Sequence, residues 1–208
     1  MPDHSKKSAA LFVDARARLR QRVLSPIEGP LARWLVRLGV GPIPLTFLGL
    51  ATAIGAGALA ALGLWVPAGA ALMVSGALDL LDGAVARASG WVTAFGAFLD
   101  SLTDRVGEGA LFLGLVVFYG GRADLVPLLL VFLAFAGSFL VSYTRARAEG
   151  LGLSLTEGVM TRAERLLVLS VGLLVGQVPV ALGVVAALAF FTAAQRAYAV
   201  WRGLRGGG

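Results

Sequence analysis

The sequence predicts an all-α membrane protein, a six-helix polytopic transmembrane bundle preceded by a cytoplasmic juxtamembrane amphipathic helix. Composition is the first reason: 58% of the 208 residues are hydrophobic and 14% are charged, against about 45–50% and about 25% in a soluble domain. Glycine is the second, because 28 of them supply the small side chains that let helices approach closely within a bilayer. Length is the third, leaving room for about six spans of roughly 20 residues and little else. An ordinary soluble globule is thereby excluded. With no cysteine, so are a disulfide framework, a thiolate nucleophile and a cysteine-ligated metal.

Residues 1–42 read as a cytoplasmic tail and juxtamembrane segment. Asp3, Lys6, Lys7, Asp14, Arg16, Arg18, Arg20 and Arg22 precede the first long apolar run. This charged stretch is too long for the n-region of a cleaved signal peptide, so it is expected to be retained. Leu11, Phe12, Leu19, Val23 and Leu24 interleave with the basic residues, and Ile27, Leu31, Trp34, Leu35 and Leu38 continue the apolar spacing, broken by Pro26 and Gly29-Pro30. That spacing predicts one or two amphipathic helices at the interface. His4 lies in the polar tail and is not expected to be a ligand.

The main domain, 43–202, divides into six spans by hydropathy and by punctuation. The first runs from Ile43 to Trp65, and Pro67 opens the second, which continues to Arg87. A third extends from Thr93 to Tyr119, a fourth from Leu125 to Tyr143, a fifth from Leu166 to Val175 and a sixth from Pro179 to Trp201. The fifth reaches spanning length only if its helix starts near Thr161. Residues 203–208 form a short C-terminal tail.

Basic residues orient the spans. Of 18 Lys and Arg, eight precede the first span, Arg145, Arg147, Arg162 and Arg165 fall between the fourth and fifth, and Arg196, Arg202 and Arg205 lie at the end of the sixth or beyond, whereas Arg122 alone sits in a loop of the opposite side. Both termini are therefore expected on the cytoplasmic face of the cell membrane. Trp34, Trp65, Trp91 and Trp201 fall near span ends, as an aromatic belt does. The net charge of +6 abuts the spans, which favours anionic headgroups and phosphorylated substrates over nucleic acid.

Carboxylates stand where carboxylates are expensive. Asp79, Asp82, Asp100 and Asp104 lie within or beside predicted spans, with Arg105 and Glu108 close behind. Such groups mark a functional site by default. Asp79 and Asp82 are three residues apart and Asp100 and Asp104 four, so each pair shares one face of its helix. The short link around Ala88 to Trp91 makes the second and third spans expected antiparallel neighbours, their carboxylates meeting at the cytoplasmic ends. Four such groups stay ionised together only with cations between them, and hard oxygen ligands point to magnesium, manganese or calcium. Arg87, one turn beyond Gly83, offers a guanidinium to phosphate, and Gly83 lets a ligand approach the backbone.

Asp79, Asp82, Gly83, Ala84 and Arg87, then Gly96 after eight residues, then Asp100 and Asp104 at intervals of four, resemble the complete signature of the CDP-alcohol phosphotransferases. The resemblance extends over nearly all the chain after the N-terminal segment. It implies six transmembrane helices, usually in a homodimer, and a magnesium-dependent transfer of the substituted phosphate of a CDP-linked lipid to an alcohol, with release of CMP. By the same resemblance Asp79, Asp82 and Asp100 are the principal ligands of a two-ion site taking Mg2+ or Mn2+. Asp104 is the general base and a further metal contact. Asp79, Gly83, Arg87 and Thr46 are CDP-lipid contacts. Where the family usually carries Pro-Asn before that Thr, this chain has Gly41-Pro42 or Pro42-Ile43.

The acceptor is read from the basic cluster after the fourth span. Ser142, Tyr143, Arg145, Arg147, Glu149 and Gly150, followed by Gly158, Arg162, Glu164 and Arg165, resemble the branch of the family that makes phosphatidylinositol phosphate. That branch implies CDP-diacylglycerol and myo-inositol phosphate as substrates, with Arg145, Arg165 and Arg196 as candidate contacts of the acceptor phosphate. Phosphatidylglycerophosphate synthesis, or transfer to another polar alcohol, is the alternative within the family. Outside it, a cation-coupled transporter or a membrane scaffold would account for intramembrane aspartates or small residues. The transporter needs a route across the membrane, while the acidic residues cluster on one side. Gly55, Gly57, Gly69, Gly76, Gly109 and Gly114 are read as permitting close helix contacts.

Overall fold

Proline and glycine set the helix boundaries in the computed structural model, which describes residues 25–155 and 158–205. The N-terminal tail with its expected amphipathic segment before Ser25, and the last three residues, lie outside the described residues. The described residues form seven helices and no strand: α1 (Ser25–Arg37), α2 (Pro42–Ala61), α3 (Trp65–Ser89), α4 (Ala94–Gly120), α5 (Leu125–Glu149), α6 (Arg162–Leu174) and α7 (Val178–Arg205).

Pro42 opens α2 at its first turn, where a missing N–H costs nothing. Pro67 was expected to open the second span, but α3 already begins at Trp65, because the first four N–H groups of a helix have no intrahelical partner and a proline there removes no bond. Trp65 thus belongs to the second long helix and not to the first. It packs edge-on against Phe118, with ring centroids 4.4 Å apart, and differs in this from the exposed Trp34, Trp91 and Trp201. α1 runs through Gly29-Pro30 without a break, at the cost of one backbone bond. α5 continues beyond Tyr143 to Glu149, its charged last turns supported by an Arg145–Glu149 ion pair at 2.8 Å.

α2, α3, α5 and α7 are each long and apolar enough to cross a membrane. α4 has the length but carries Asp100, Asp104, Arg105 and Glu108 among its first 15 of 27 residues. α6, at 13 residues, rises only about 20 Å, less than a bilayer core of about 30 Å.

The packing forms a closed circuit. α2 lies against α3 and α4, α3 against α6, α6 against α7, α7 against α5, and α5 back against α4, while α1 packs on α3 from outside. Leu72, Leu111, Leu115, Leu169, Leu173, Leu182 and Val185 fill the centre. Ala32 of α1 joins Leu45, Ala84 and Val85 in a smaller cluster. Close crossings use small residues: a Cβ on Gly57 of α2 would collide with the Ala110 carbonyl of α4, and one on Gly114 with the Gly57 backbone. A Cβ on Gly69 would likewise come within 2.9 Å of the Ser170 carbonyl oxygen of α6. Among the described residues a Cβ on Gly55 or Gly109 would meet nothing within 4 Å, and one on Gly76 only Leu166 at 3.8 Å, so these three serve no tight crossing there.

α3 and α4, expected to be packed neighbours, scarcely touch. Their short link fixes only where one ends and the other starts. Gly90 terminates α3 in the left-handed region at φ 73°, and Thr93 caps α4 by accepting from the Gly96 N–H at 3.0 Å. Beyond that link α2 occupies the place between them on one side, and a groove lies between them on the other.

Candidate active site and metal centre

The carboxylates converge across this groove. Asp79 and Asp82 come from α3, one turn apart, and Asp100 from the second turn of α4. Ligand oxygens of all three lie within 4.8 Å of one another. Asp82 is 5% exposed and is held by α2, whose Thr46 hydroxyl donates to Asp82 Oδ2 at 2.7 Å while also reaching the Pro42 carbonyl at 3.2 Å. Thr46, expected beside the nucleotide, therefore touches a metal-ligand candidate directly.

Asp104, one turn beyond Asp100, stands outside the three-carboxylate group. Its Oδ1 pairs with Arg162 Nη1 at 2.8 Å, and its Oδ2 lies 3.7 Å from Arg105. The same Arg162 Nη1 donates to Asp79 Oδ2 at 2.6 Å. One nitrogen of α6 thus bridges carboxylates of α3 and α4. A gap of about 10 Å³ beside it, lined by Thr46, Ser75, Asp79, Asp82, Asp104 and Arg162 among others, is about the size of one water or ion.

Three carboxylates within a few ångström repel one another unless cations neutralise them. Their donors are hard oxygens, and the histidine and cysteine ligands that select zinc or copper are missing from the group. The set fits Mg2+ or Mn2+, which take carboxylates together with substrate phosphate oxygens.

The groove, about 940 Å³, changes character along its length. Asp79, Asp82, Asp100, Arg87, Arg145 and Arg162 head it, and Leu72, Met73, Leu166 and Leu167 wall the remainder. Met73 and Leu167 are about half exposed, so the apolar part opens laterally. Gly83 faces this groove with Arg87 folded over it, a Cβ there lying 3.2 Å from Arg87 Nη1. Such an arrangement suits an anionic headgroup with apolar tails.

The three arginines read as acceptor contacts have different partners. Arg145 lines the groove, with its Nε on Glu149 at 2.8 Å. Arg165 is 1% exposed and forms a bidentate pair with Glu108 of α4, at 2.8 and 2.9 Å. Arg196 is buried and donates to the Val141 carbonyl of α5. Thr161 N–H donates to Glu164 Oε2 at 2.8 Å and starts α6, with Arg162 in its first turn meeting the aspartates and Arg165, one turn deeper, meeting Glu108. Neither Arg162 nor Glu108 was singled out from the sequence as a site residue. The spacing of Arg162 and Arg165 behind a Thr-x-x-Glu helix start was the signal available.

Comparisons with known proteins agree with this geometry. The family profile of the CDP-alcohol phosphatidyltransferases matches residues 40–201. The chain is 40% identical over 167 residues to an archaetidylinositol phosphate synthase of Methanothermobacter thermautotrophicus, covering 77% of this chain and 83% of that one. It resembles the crystal structure of phosphatidylinositol phosphate synthase from Mycobacterium tuberculosis with CDP-DAG bound, with a TM-score of 0.77 at 31% identity, covering 85% of this chain and 94% of that one. The same enzyme in complex with manganese and citrate matches with a TM-score of 0.75 at 31% identity, over 84% and 89% of the two chains.

Proposed function

Since the chain belongs to the CDP-alcohol phosphatidyltransferase family, we propose that this transferase passes the phosphatidyl group of CDP-diacylglycerol to a hydroxyl of myo-inositol phosphate and releases CMP. The observation that carries the reading is the convergence of Asp79, Asp82 and Asp100 at the head of a groove with apolar lateral walls.

Asp79, Asp82 and Asp100 would hold two Mg2+ ions, or Mn2+, a reading supported by the mycobacterial relative's structure in complex with manganese and citrate. Divalent ions so placed neutralise a diphosphate and make its phosphorus more electrophilic. Thr46 fixes the Asp82 carboxylate by its hydrogen bond. Gly83 admits the nucleotide to the α3 backbone, and Arg87 pairs with the diphosphate. Asp104, one turn from Asp100, takes the proton of the acceptor hydroxyl as its oxygen bonds to the lipid-bearing phosphorus. The bond from that phosphorus to the bridging oxygen breaks, and CMP departs with the electron pair. Arg145, which the groove presents, receives the acceptor's phosphate together with Arg162, while Arg165 and Arg196 hold helices together.

The same reading takes 43–202 as one catalytic domain of six transmembrane helices, with α6 and the charged half of α4 reaching the membrane surface. α1 lies at the interface, where its exposed Leu31 and Trp34, and Leu38 just past its end, meet lipid. Arg87, Arg145 and Arg162 all lie at the end of the molecule where α2 begins and α7 finishes, and Arg122 at the other, an asymmetry that supports a cytoplasmic location for both termini and the active site at the cell membrane. The chain acts as a homodimer.

The test is CMP release by purified protein in vesicles holding CDP-diacylglycerol and Mg2+, with inositol phosphate, free inositol, glycerol 3-phosphate or serine as acceptor. Selectivity for inositol phosphate, lost in Arg145→Ala, is the expected result. A preference for glycerol 3-phosphate would overturn the acceptor assignment and leave the carboxylate mechanism standing.

A further inference from the structure

Arg162 places one nitrogen between two carboxylates as a bound cation would. Nη1 alone makes both contacts, 2.6 Å to Asp79 and 2.8 Å to Asp104, while Nε of the same guanidinium is buried with no hydrogen-bond partner. A guanidinium in its preferred geometry offers a carboxylate two parallel N–H groups, and Arg165, one turn along the same helix, does this with Glu108. Arg162 is therefore engaged by its charge more than by its shape, and it leaves a buried donor unsatisfied, which is costly. Its side chain remains 22% exposed and borders the groove, so it has somewhere to go.

We propose that Arg162 is a displaceable counter-cation of the metal centre: it neutralises Asp79 and Asp104 when the centre is unloaded and, when divalent ions enter, yields Asp79 to them and frees Asp104. This rests on the reading of the aspartates as a metal site. The Glu108–Arg165 pair is the fixed point of the exchange. It fastens α6 to α4 one turn deeper, so Arg162 can let go by side-chain rotation while the helix stays in register. Once released, the guanidinium turns into the groove that receives anionic substrates. Loading of ions and presentation of a positive charge to phosphate then become one event, and ions precede substrates.

The experiment is a Mn2+ titration of the full-length protein in detergent without substrate, following free Mn2+ by electron paramagnetic resonance, with thermal stability measured in chelator and in Mn2+. Removing a competing charged hydrogen-bond donor in Arg162→Gln should tighten Mn2+ binding roughly tenfold. The variant's melting temperature should fall in chelator and recover with Mn2+. Arg162→Lys, still a cation, should lie between Arg162→Gln and wild type, and it serves as the folded reference should the glutamine variant prove unstable. Unchanged or weaker Mn2+ binding in Arg162→Gln, or in Arg162→Lys if only that variant folds, overturns the proposal. Failure of the wild type to bind Mn2+, or undiminished binding in Asp100→Asn, overturns the metal-site reading beneath it.

Discussion

Glu108 and Arg165 face each other across the closed circuit of helices, two N–H groups of one on two oxygens of the other, with side-chain exposures of 7% and 1%. Removing one partner of such a pair strands a buried charge, which costs about 3–5 kcal/mol. Glu108→Gln should therefore lower the melting temperature in detergent by roughly 10 °C. The double replacement Glu108→Leu with Arg165→Met should recover most of that loss. A double variant no more stable than the single one would show that the pair contributes net stability.

Asp104→Asn keeps the shape of the side chain and removes its basicity. CMP release should fall by about a hundredfold to ten-thousandfold, while binding of the CDP-lipid, measured by equilibrium competition, changes little. Turnover above a tenth of wild type would remove Asp104 from the role of base.

Thr46 donates to Asp82 at 2.7 Å. Thr46→Val deletes a hydrogen bond to a charged acceptor, worth about 1.5–3 kcal/mol, and should raise the Mg2+ concentration for half-maximal activity roughly tenfold. Thr46→Ser should restore it. An equal loss in both variants would assign the residue to packing.

At Gly57 a methyl group has no room, because the Ala110 carbonyl of α4 already fills its place, whereas Gly109 has nothing within 4 Å. Gly57→Val should destabilise by at least about 1–3 kcal/mol and separate α2 from α4, taking Thr46 away from the α4 carboxylates. Gly109→Ala should be neutral or stabilising by up to about 1 kcal/mol. Thermal melts followed by circular dichroism distinguish the two.

The helices were legible in the sequence because hydropathy and proline positions carry local information, and the four aspartates were legible because a charge inside an apolar run has few bland explanations. What the sequence concealed depends on tertiary geometry. The short link from Gly90 to Thr93 looked like a command for α3 and α4 to pack, yet a link constrains only the ends it joins, and α2 took the contact instead. Arg165 looked like an acceptor contact and Arg162 like its neighbour. Residues three apart lie on nearly the same side of a helix, so what each of the two meets is decided by its depth along a 13-residue helix and by the carboxylates that neighbouring helices bring there. Glu108 was visible as a charge, but its partner lies 57 residues away.

The lateral opening of the groove beside Met73 and Leu167 has a kinetic meaning. A donor that enters sideways never passes through bulk water, so its encounter with Asp79, Asp82 and Asp100 is a search in two dimensions. The quantity that sets the rate is then its mole fraction in the bilayer. Diluting vesicles in buffer should leave turnover unchanged, whereas diluting the donor with inert phospholipid at constant volume should slow it.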